Sequence, residues 1–155
     1  MNSCLQIFFF VFLLLNIRAV PKTLQLNLMP SGDTLSTNLE VFQTLANEWK
    51  DAYNNNNLIK LSLLYSENSD YISSHVNGLV TEGRDNIIAY FGKGIELGGH
   101  IDSIEILKIN LSCDIATLFC KYEAKNCGEK VIGRNLLILK RIKDKWQIII
   151  HMTVV

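Results

Sequence analysis

The sequence holds little that would support charge-driven or cofactor-driven work. Lysine plus arginine and aspartate plus glutamate number 15 each in 155 residues, so the net charge is near zero. Binding a polyanion needs a surplus of basic groups, so neither nucleic acid nor an anionic membrane surface is an expected partner. There is no G-x-G-x-x-G and no P-loop; Gly92-Lys93-Gly94 is only a fragment near a helix end. His75, His100 and His151 are scattered, without an H-x-x-H, a C-x-x-C or a carboxylate cluster beside them. No metal site follows from such spacing, and no cofactor is implied. There are no internal repeats, and the low-complexity content is one short run, Asn54-Asn55-Asn56-Asn57.

A disulfide framework is also lacking. Beyond Cys4 the cysteines are Cys113, Cys120 and Cys127, an odd number. On a strand with a turn at each end, seven residues separate neighbours by about 23 Å. A bridge needs Cα atoms within about 7 Å. The expectation is free thiols, with an intermolecular bridge conceivable at an exposed turn, where Cys127 is placed. The core must therefore hold the fold.

The longest apolar run, LQIFFFVFLLLNI at residues 5–17, is short for a bilayer helix, which takes about 20 residues. It fits the apolar segment of a secretory signal peptide spanning 1–19, cleaved after Ala19, although no Lys or Arg precedes it. An uncleaved N-terminal anchor is the alternative. The expected location is secreted or periplasmic, with no membrane association after cleavage. Residues 20–36 hold both prolines, Pro21 and Pro30, with no clean period, and read as a linker or N-terminal arm.

From residue 37 the pattern is regular. Thr37 and Glu40 have capping-box spacing. Val41, Phe42, Leu45, Ala46, Trp49, Ala52 and Tyr53 then recur on one helical face. The asparagine run ends this helix and can cap a second one carrying Leu58, Leu61, Leu64 and Tyr65 inward. Asp70 to His75 alternate as a strand, Asn77-Gly78 is a hairpin turn, and the return runs through Leu79 to Glu82. Ile87, Ile88, Tyr90, Phe91 and Ile95 make a third helix. The rest reads as strands at His100–Asn110, Ile115–Lys125, Val131–Ile142 and Trp146–Val155. In the second of these Ala116, Leu118, Cys120 and Tyr122 share a face. The last strand, WQIIIHMTVV, is apolar on both faces and so is expected to be covered on both.

W-K-D-A-Y-N closing helix one, L-L-Y closing helix two, N-G-L-V-T-E-G-R-D-N-I leading into helix three and K-W-Q-I opening the last strand together resemble the nuclear transport factor 2-like (NTF2-like) superfamily. The nearest branches are the SnoaL-like and domain-of-unknown-function ones. The resemblance covers residues 37–155. It implies an α+β, cone-shaped fold, with three N-terminal helices and a β-hairpin packed on a curved antiparallel sheet, and a pocket inside the cone. The same cone hosts isomerases, cyclases, dehydratases, assembly domains and binding modules, so activity has to be argued from the site.

Carried onto this chain, the isomerase branch puts Trp49 and Asn135 at its two oxyanion-donor positions and Ser74 or His75 at its base position. None of that branch's catalytic residue types is kept. An indole N–H and an amide can still donate, and a neutral imidazole can serve as a base. Alternatively Trp49 is simply core, Asn135 bonds backbone or water, and His75 sits in solvent at a hairpin tip. Other members carry a polar residue six positions after the final-strand tryptophan. Here that residue is Met152, so strand parity turns Met152 into the cone and His151 and Thr153 outward.

The leading expectation is a pocket lined by Trp49, Tyr53, Tyr71, Tyr90 and Met152, with Asn135 and His75 as polar handles, binding a small, largely apolar ligand. The alternatives are an isomerase- or dehydratase-like enzyme with His75 as base, and an oligomerisation module without ligand. A homodimer through the sheet is expected in any of these. Asn110-Leu111-Ser112 is an N-glycosylation sequon that has meaning only in a eukaryotic secretory host.

Overall fold

A computed structural model describes residues 32–74 and 78–155, with side chains described from Asn38 onward. The signal-peptide reading of 1–19, most of the 20–36 arm, His75 and Asn77 lie outside the described residues. Three helices precede and interrupt a six-stranded sheet. They are α1 (Gly32–Asn54), α2 (Leu58–Leu63) and α3 (Arg84–Glu96). The strands are β1 (Tyr65–Ser73), β2 (Leu79–Glu82), β3 (His100–Ser112), β4 (Ile115–Asn126), β5 (Glu129–Ile142) and β6 (Lys145–Val154).

Helix α1 starts earlier than the capping-box spacing predicts. It begins at Gly32, so residues 32–36 are helix and not arm, and Thr37 lies inside the helix instead of capping it. Its apolar face is buried from Phe42 to Tyr53, whereas Val41, at one edge of that face, is 44% exposed. Asn54 then pins the end of α1 to the start of β3. Its amide donates to the Ile101 carbonyl at 2.8 Å and its Oδ1 accepts from the Ile101 N–H at 2.8 Å. Asn57 caps α2 as its side chain accepts from the Lys60 N–H at 2.9 Å. Helix α2 is shorter than its apolar spacing suggests. Leu64 closes it, and Tyr65 is the first residue of β1, not the last inward residue of a helix.

The sheet runs in the order β2-β1-β6-β5-β4-β3. It is mixed, not purely antiparallel: β1 lies parallel to β6, and every other pair is antiparallel. The hairpin β1–β2 is therefore an edge of the same sheet and not a separate layer. Tight turns join the long strands, with Cys113, Cys127, Lys143 and Asp144 at positive φ. Cys113 and Cys127 are exposed, Cys120 is buried, and all three are free.

The concave face carries the core. Ala116, Leu118, Cys120 and Tyr122 of β4 are all buried there, as their alternation predicts. Leu61, Ile87, Leu139 and Ile148 pack under the helices with no exposed surface. Trp146 at the start of β6 meets Phe42 of α1, ring centroids 5.2 Å apart.

One irregularity decides what faces inward. Across β5 and β6, Leu139 opposes Ile148 but Ile138 opposes Ile150. Ile149 is thus an extra residue on β6, a β-bulge. Simple alternation from Ile148 would bring Ile150 and Met152 inward. The bulge reverses this, and His151 and Thr153 face the concave side, both buried. Met152 is half-buried on the opposite face. The expected orientation of Met152, His151 and Thr153 is corrected accordingly.

Candidate functional site

Between the helices and the concave sheet lies a cavity of about 490 Å³. Trp49 and Tyr53 reach it from α1, Tyr90 and Phe91 from α3, Tyr71 and Ser73 from β1, and Tyr122 from β4. The register explains the grouping. Tyr71 pairs with His151 and Ser73 with Thr153, while on the other side of β6 Thr153 pairs with Asn135 and Asn135 with Cys120. One inward row across four strands is therefore Ser73–Thr153–Asn135–Cys120. The neighbouring row is Tyr71–His151–Leu137–Leu118. The polar groups of the sheet wall thus lie on two adjoining rows, Ser73, Thr153 and Asn135 on one and Tyr71 and His151 on the other.

The aromatic groups pack on one another. The Trp49 and Tyr53 rings are stacked at 5.3 Å. Phe91 stands edge-on to Trp49 at 5.5 Å and to Tyr71 at 5.0 Å. Two glycines make room at the rim. A Cβ on Gly94 or Gly99 would meet the Tyr53 hydroxyl at 2.9 or 2.5 Å. A third, Gly133, opposes Tyr122 across the strands, and its missing Cβ lets that ring lie flat on the sheet, where a Cβ would come within 2.6 Å of ring carbons.

Along the wall runs a continuous hydrogen-bonded chain, in which Trp49, His151, Thr153 and Asn135 line the cavity and Tyr65 lies behind them. The Trp49 indole N–H donates to the Tyr65 hydroxyl at 2.9 Å, and that hydroxyl lies 2.7 Å from His151 Nδ1. Thr153 donates to Asn135 Oδ1 at 3.0 Å. Having spent its one proton there, Thr153 can only accept from His151 Nε2 at 3.3 Å. That assigns the Nε2–H tautomer from the network, so Nδ1 accepts the Tyr65 proton. Donation thus runs one way, Trp49 to Tyr65 to His151 to Thr153 to Asn135. The chain ends on Asn135, whose NH₂ is the donor left to a residue that lines the cavity. The second polar cluster is the Tyr90 hydroxyl, hydrogen-bonded to Ser73 and Tyr71.

Burial sets the protonation states. It pushes His151 down to about 3, so the imidazole is neutral at pH 7. It raises the hydroxyls of Tyr53, Tyr65 and Tyr90, and takes Tyr122 up to about 12. Apart from Lys93 and Lys125, the cavity lining therefore offers neutral polar groups, aromatic faces and aliphatic side chains. No aspartate or glutamate lines it among the described residues. No group of His, Cys, Asp or Glu able to hold a metal occurs among those residues either.

Of the residues expected from the sequence, Trp49, Tyr53, Tyr71, Tyr90 and Asn135 meet at this cavity. Met152 does not, for the reason given by the bulge. Trp49 lines the wall with its ring, but its N–H is committed to Tyr65, so it is not a donor open to a ligand. Tyr65, His151 and Thr153 were not anticipated. One signal for two of them exists: polar residues at i and i+2 in an apolar strand share a face, and a buried pair of that kind implies an internal network.

No family model matches the chain, and no curated protein matches it. Solved structures do. An NTF2-like protein of unknown function from Shewanella oneidensis is 23% identical, with 75% of this chain and 98% of that one covered and a TM-score of 0.64. The chain has the NTF2-like fold. An NTF2-like protein with a cystatin-like fold from Novosphingobium aromaticivorans is 17% identical over 81% of this chain and 90% of that one, TM-score 0.59. A ketosteroid isomerase-like protein from Erwinia carotovora is 18% identical over 74% and 93%, TM-score 0.61. At such identities the likeness is one of fold, and what this NTF2-like domain does rests on its own cavity.

Proposed function

We propose that this NTF2-like domain binds a small, largely apolar ligand in its cone, and that it does so as a secreted or periplasmic protein. The observation that carries the reading is the cavity of about 490 Å³, walled by aromatic rings with a small group of polar side chains on the sheet. A cavity of that size, mostly apolar with a few convergent polar groups, is what orients a small ligand. The enzyme alternative has less support. Both His151 nitrogens are engaged and its basicity is suppressed, Trp49 has no free N–H, and no carboxylate lines the wall among the described residues. The base it would need is His75.

The test is titration of the mature chain, from Val20 on, with a neutral environment-sensitive fluorophore such as N-phenyl-1-naphthylamine. Saturable one-to-one uptake, lost in Asn135→Leu/Tyr90→Trp, is expected. Absence of saturable uptake by that probe and by a panel of apolar ketones and alcohols would refute binding. Turnover of an enolisable ketone that disappears in His75→Ala would favour the enzyme. Cleavage after Ala19 is checked by the intact mass of the exported protein.

A homodimer through the convex sheet face is supported by a specific row. Val80, Ile72, Met152, Leu136 and Phe119 lie side by side on five adjacent strands. Val80 is 55% and Phe119 41% exposed. Five strands span about 19 Å, comparable with the width of a standard interface patch. A two-fold axis through Met152 would place the row on its own copy. Met152→Lys should then shift sedimentation from dimer to monomer with the fold intact. A wild type that sediments as a monomer at tens of micromolar would end the dimer proposal.

A further inference from the structure

Most polar side chains on the cavity wall are bonded to one another. Trp49, His151 and Thr153 belong to the one-way chain, and Tyr71, Ser73 and Tyr90 form the second cluster. The Tyr53 hydroxyl is different. Among the described residues it has no hydrogen-bond partner, and no buried side-chain oxygen there is sealed away unpaired. The oxygen is therefore open to the cavity that the Tyr53 ring lines.

The chain builds a notch for this hydroxyl. Gly94 near the end of α3 and Gly99 ahead of β3 both line the cavity, and a Cβ on either would strike the oxygen, at 2.9 and 2.5 Å. The Gly94 carbonyl in the same notch accepts from the Gly99 N–H at 2.9 Å, so the loop closes on itself without taking the tyrosine proton. Stacking on Trp49 holds the ring. Burial keeps the hydroxyl protonated, so it stands as a neutral donor and acceptor in a fixed place.

The other open group is the Asn135 NH₂, oriented by the Thr153 bond to Asn135 Oδ1. Both residues are at least nine-tenths buried, Tyr53 at 8% and Asn135 at 9% exposed. They serve different parts of the cavity. Gly99 precedes His100, which pairs with Lys125, whereas Asn135 pairs with Cys120, five residues back along β4. Five residues of flat strand span about 17 Å, and a concave sheet shortens the chord.

We propose that the Tyr53 hydroxyl is a second polar anchor, and that the ligand is a neutral, apolar molecule with one oxygen for the Asn135 NH₂ and another at the far end of its body for Tyr53. This rests on the cavity being a binding site. A filling ligand with a single polar end would bury one anchor unpaired, a loss that a two-ended ligand avoids.

The experiment displaces N-phenyl-1-naphthylamine from the mature protein with α,ω-alkanediols of roughly six to twelve carbons, which reach from about half that separation up to it. Each diol is paired with the 1-alkanol of the same length. Each protein's affinity for the alkanol is its own reference, and the diol-to-alkanol ratio is the readout. Two fixed anchors set a separation, so in the wild type the ratio should peak at one chain length. One neutral hydrogen bond is worth a factor of about two to ten in affinity, and the ratio at the peak should fall by that factor in Tyr53→Phe. This variant removes only the hydroxyl and leaves no protein group without its partner. Gly94→Ala pushes the hydroxyl out of its notch without deleting it and should lower the same peak, which serves if Tyr53→Phe folds poorly. A ratio with no peak in the wild type, or a peak that survives both substitutions, overturns the inference while leaving ligand binding in place. Failure of the fluorophore and of every alcohol to bind overturns both.

Discussion

His151 makes the stability of this domain acid-sensitive in a way that can be isolated. Its imidazole is 3% exposed and burial lowers it to about 3, against an ordinary value of 6.5 for the unfolded chain. Between those values the unfolded chain takes up a proton that the folded protein does not. Stability from this group is therefore complete above pH 6.5 and is lost as the pH falls from 6.5 towards 3. The slope approaches about 1.4 kcal/mol per pH unit, so a drop from pH 6.5 to 4.5 costs on the order of 2–3 kcal/mol. The comparison is His151→Gln, which stays neutral and keeps a donor and an acceptor in the same place. Exposed carboxylate pairs, such as Glu123 with Lys121 and Lys130, titrate alike in both proteins and cancel. Urea unfolding at half-unit steps from pH 7.5 to 4.5 reads the difference. With an m-value of about 1–3 kcal/mol per molar, the wild-type midpoint should fall about 1–2 M further than that of the variant over this range. Parallel pH profiles would mean that His151 protonates in place, and that the one-way hydrogen-bond chain is wrongly assigned at its centre.

Further outcomes follow from the same contacts. Tyr65→Phe strips the partner from both Trp49 and His151, so it should cost about 2–4 kcal/mol in urea unfolding, with a non-additive double mutant alongside His151→Gln. Gly133→Ala drives a methyl into the Tyr122 ring and should cost about 1–3 kcal/mol while weakening fluorophore uptake. Burial pushes the Cys120 thiol up to about 12, so a thiol reagent at pH 8 should modify Cys113 and Cys127 in the native mature chain and reach Cys120 only on unfolding. Rapid native modification of Cys120 would show that the core packed on β4 opens.

The helices and β4 were legible because one physical period governs each of them. On α1 the residues from Phe42 to Tyr53 that recur at helical spacing are buried, and on α3 so are Ile87, Ile88 and Phe91. On β4 each second residue from Ala116 to Ala124 is buried. A half-buried element writes its orientation into its sequence, since only one side can be apolar without cost. The asparagine run was legible for a related reason: short amides cap and turn, and here Asn57 caps α2 while Asn56 takes the positive φ of the turn.

Strand β6 has no such asymmetry. It lies between β1 and β5, and Ile148, Ile149, Ile150 and Met152 would suit either face. Alternation then carries no orientation, and a single inserted residue at Ile149 exchanges the two faces beyond it. What fixes the outcome is polar satisfaction. With Met152 inward, His151 and Thr153 would lie on the convex face, and Tyr65, buried where β1 begins, would lose the acceptor for its proton. With the bulge, Tyr65, His151, Thr153 and Asn135 all find partners, and no buried polar side-chain atom among the described residues is left without one. A buried unpaired hydroxyl or imidazole costs about 1–3 kcal/mol, and more than one would be orphaned by the regular strand. The bulge disrupts the ladder at one position only. The cavity's polar row is thus selected by hydrogen-bond closure across three strands, a constraint that no window along one strand contains.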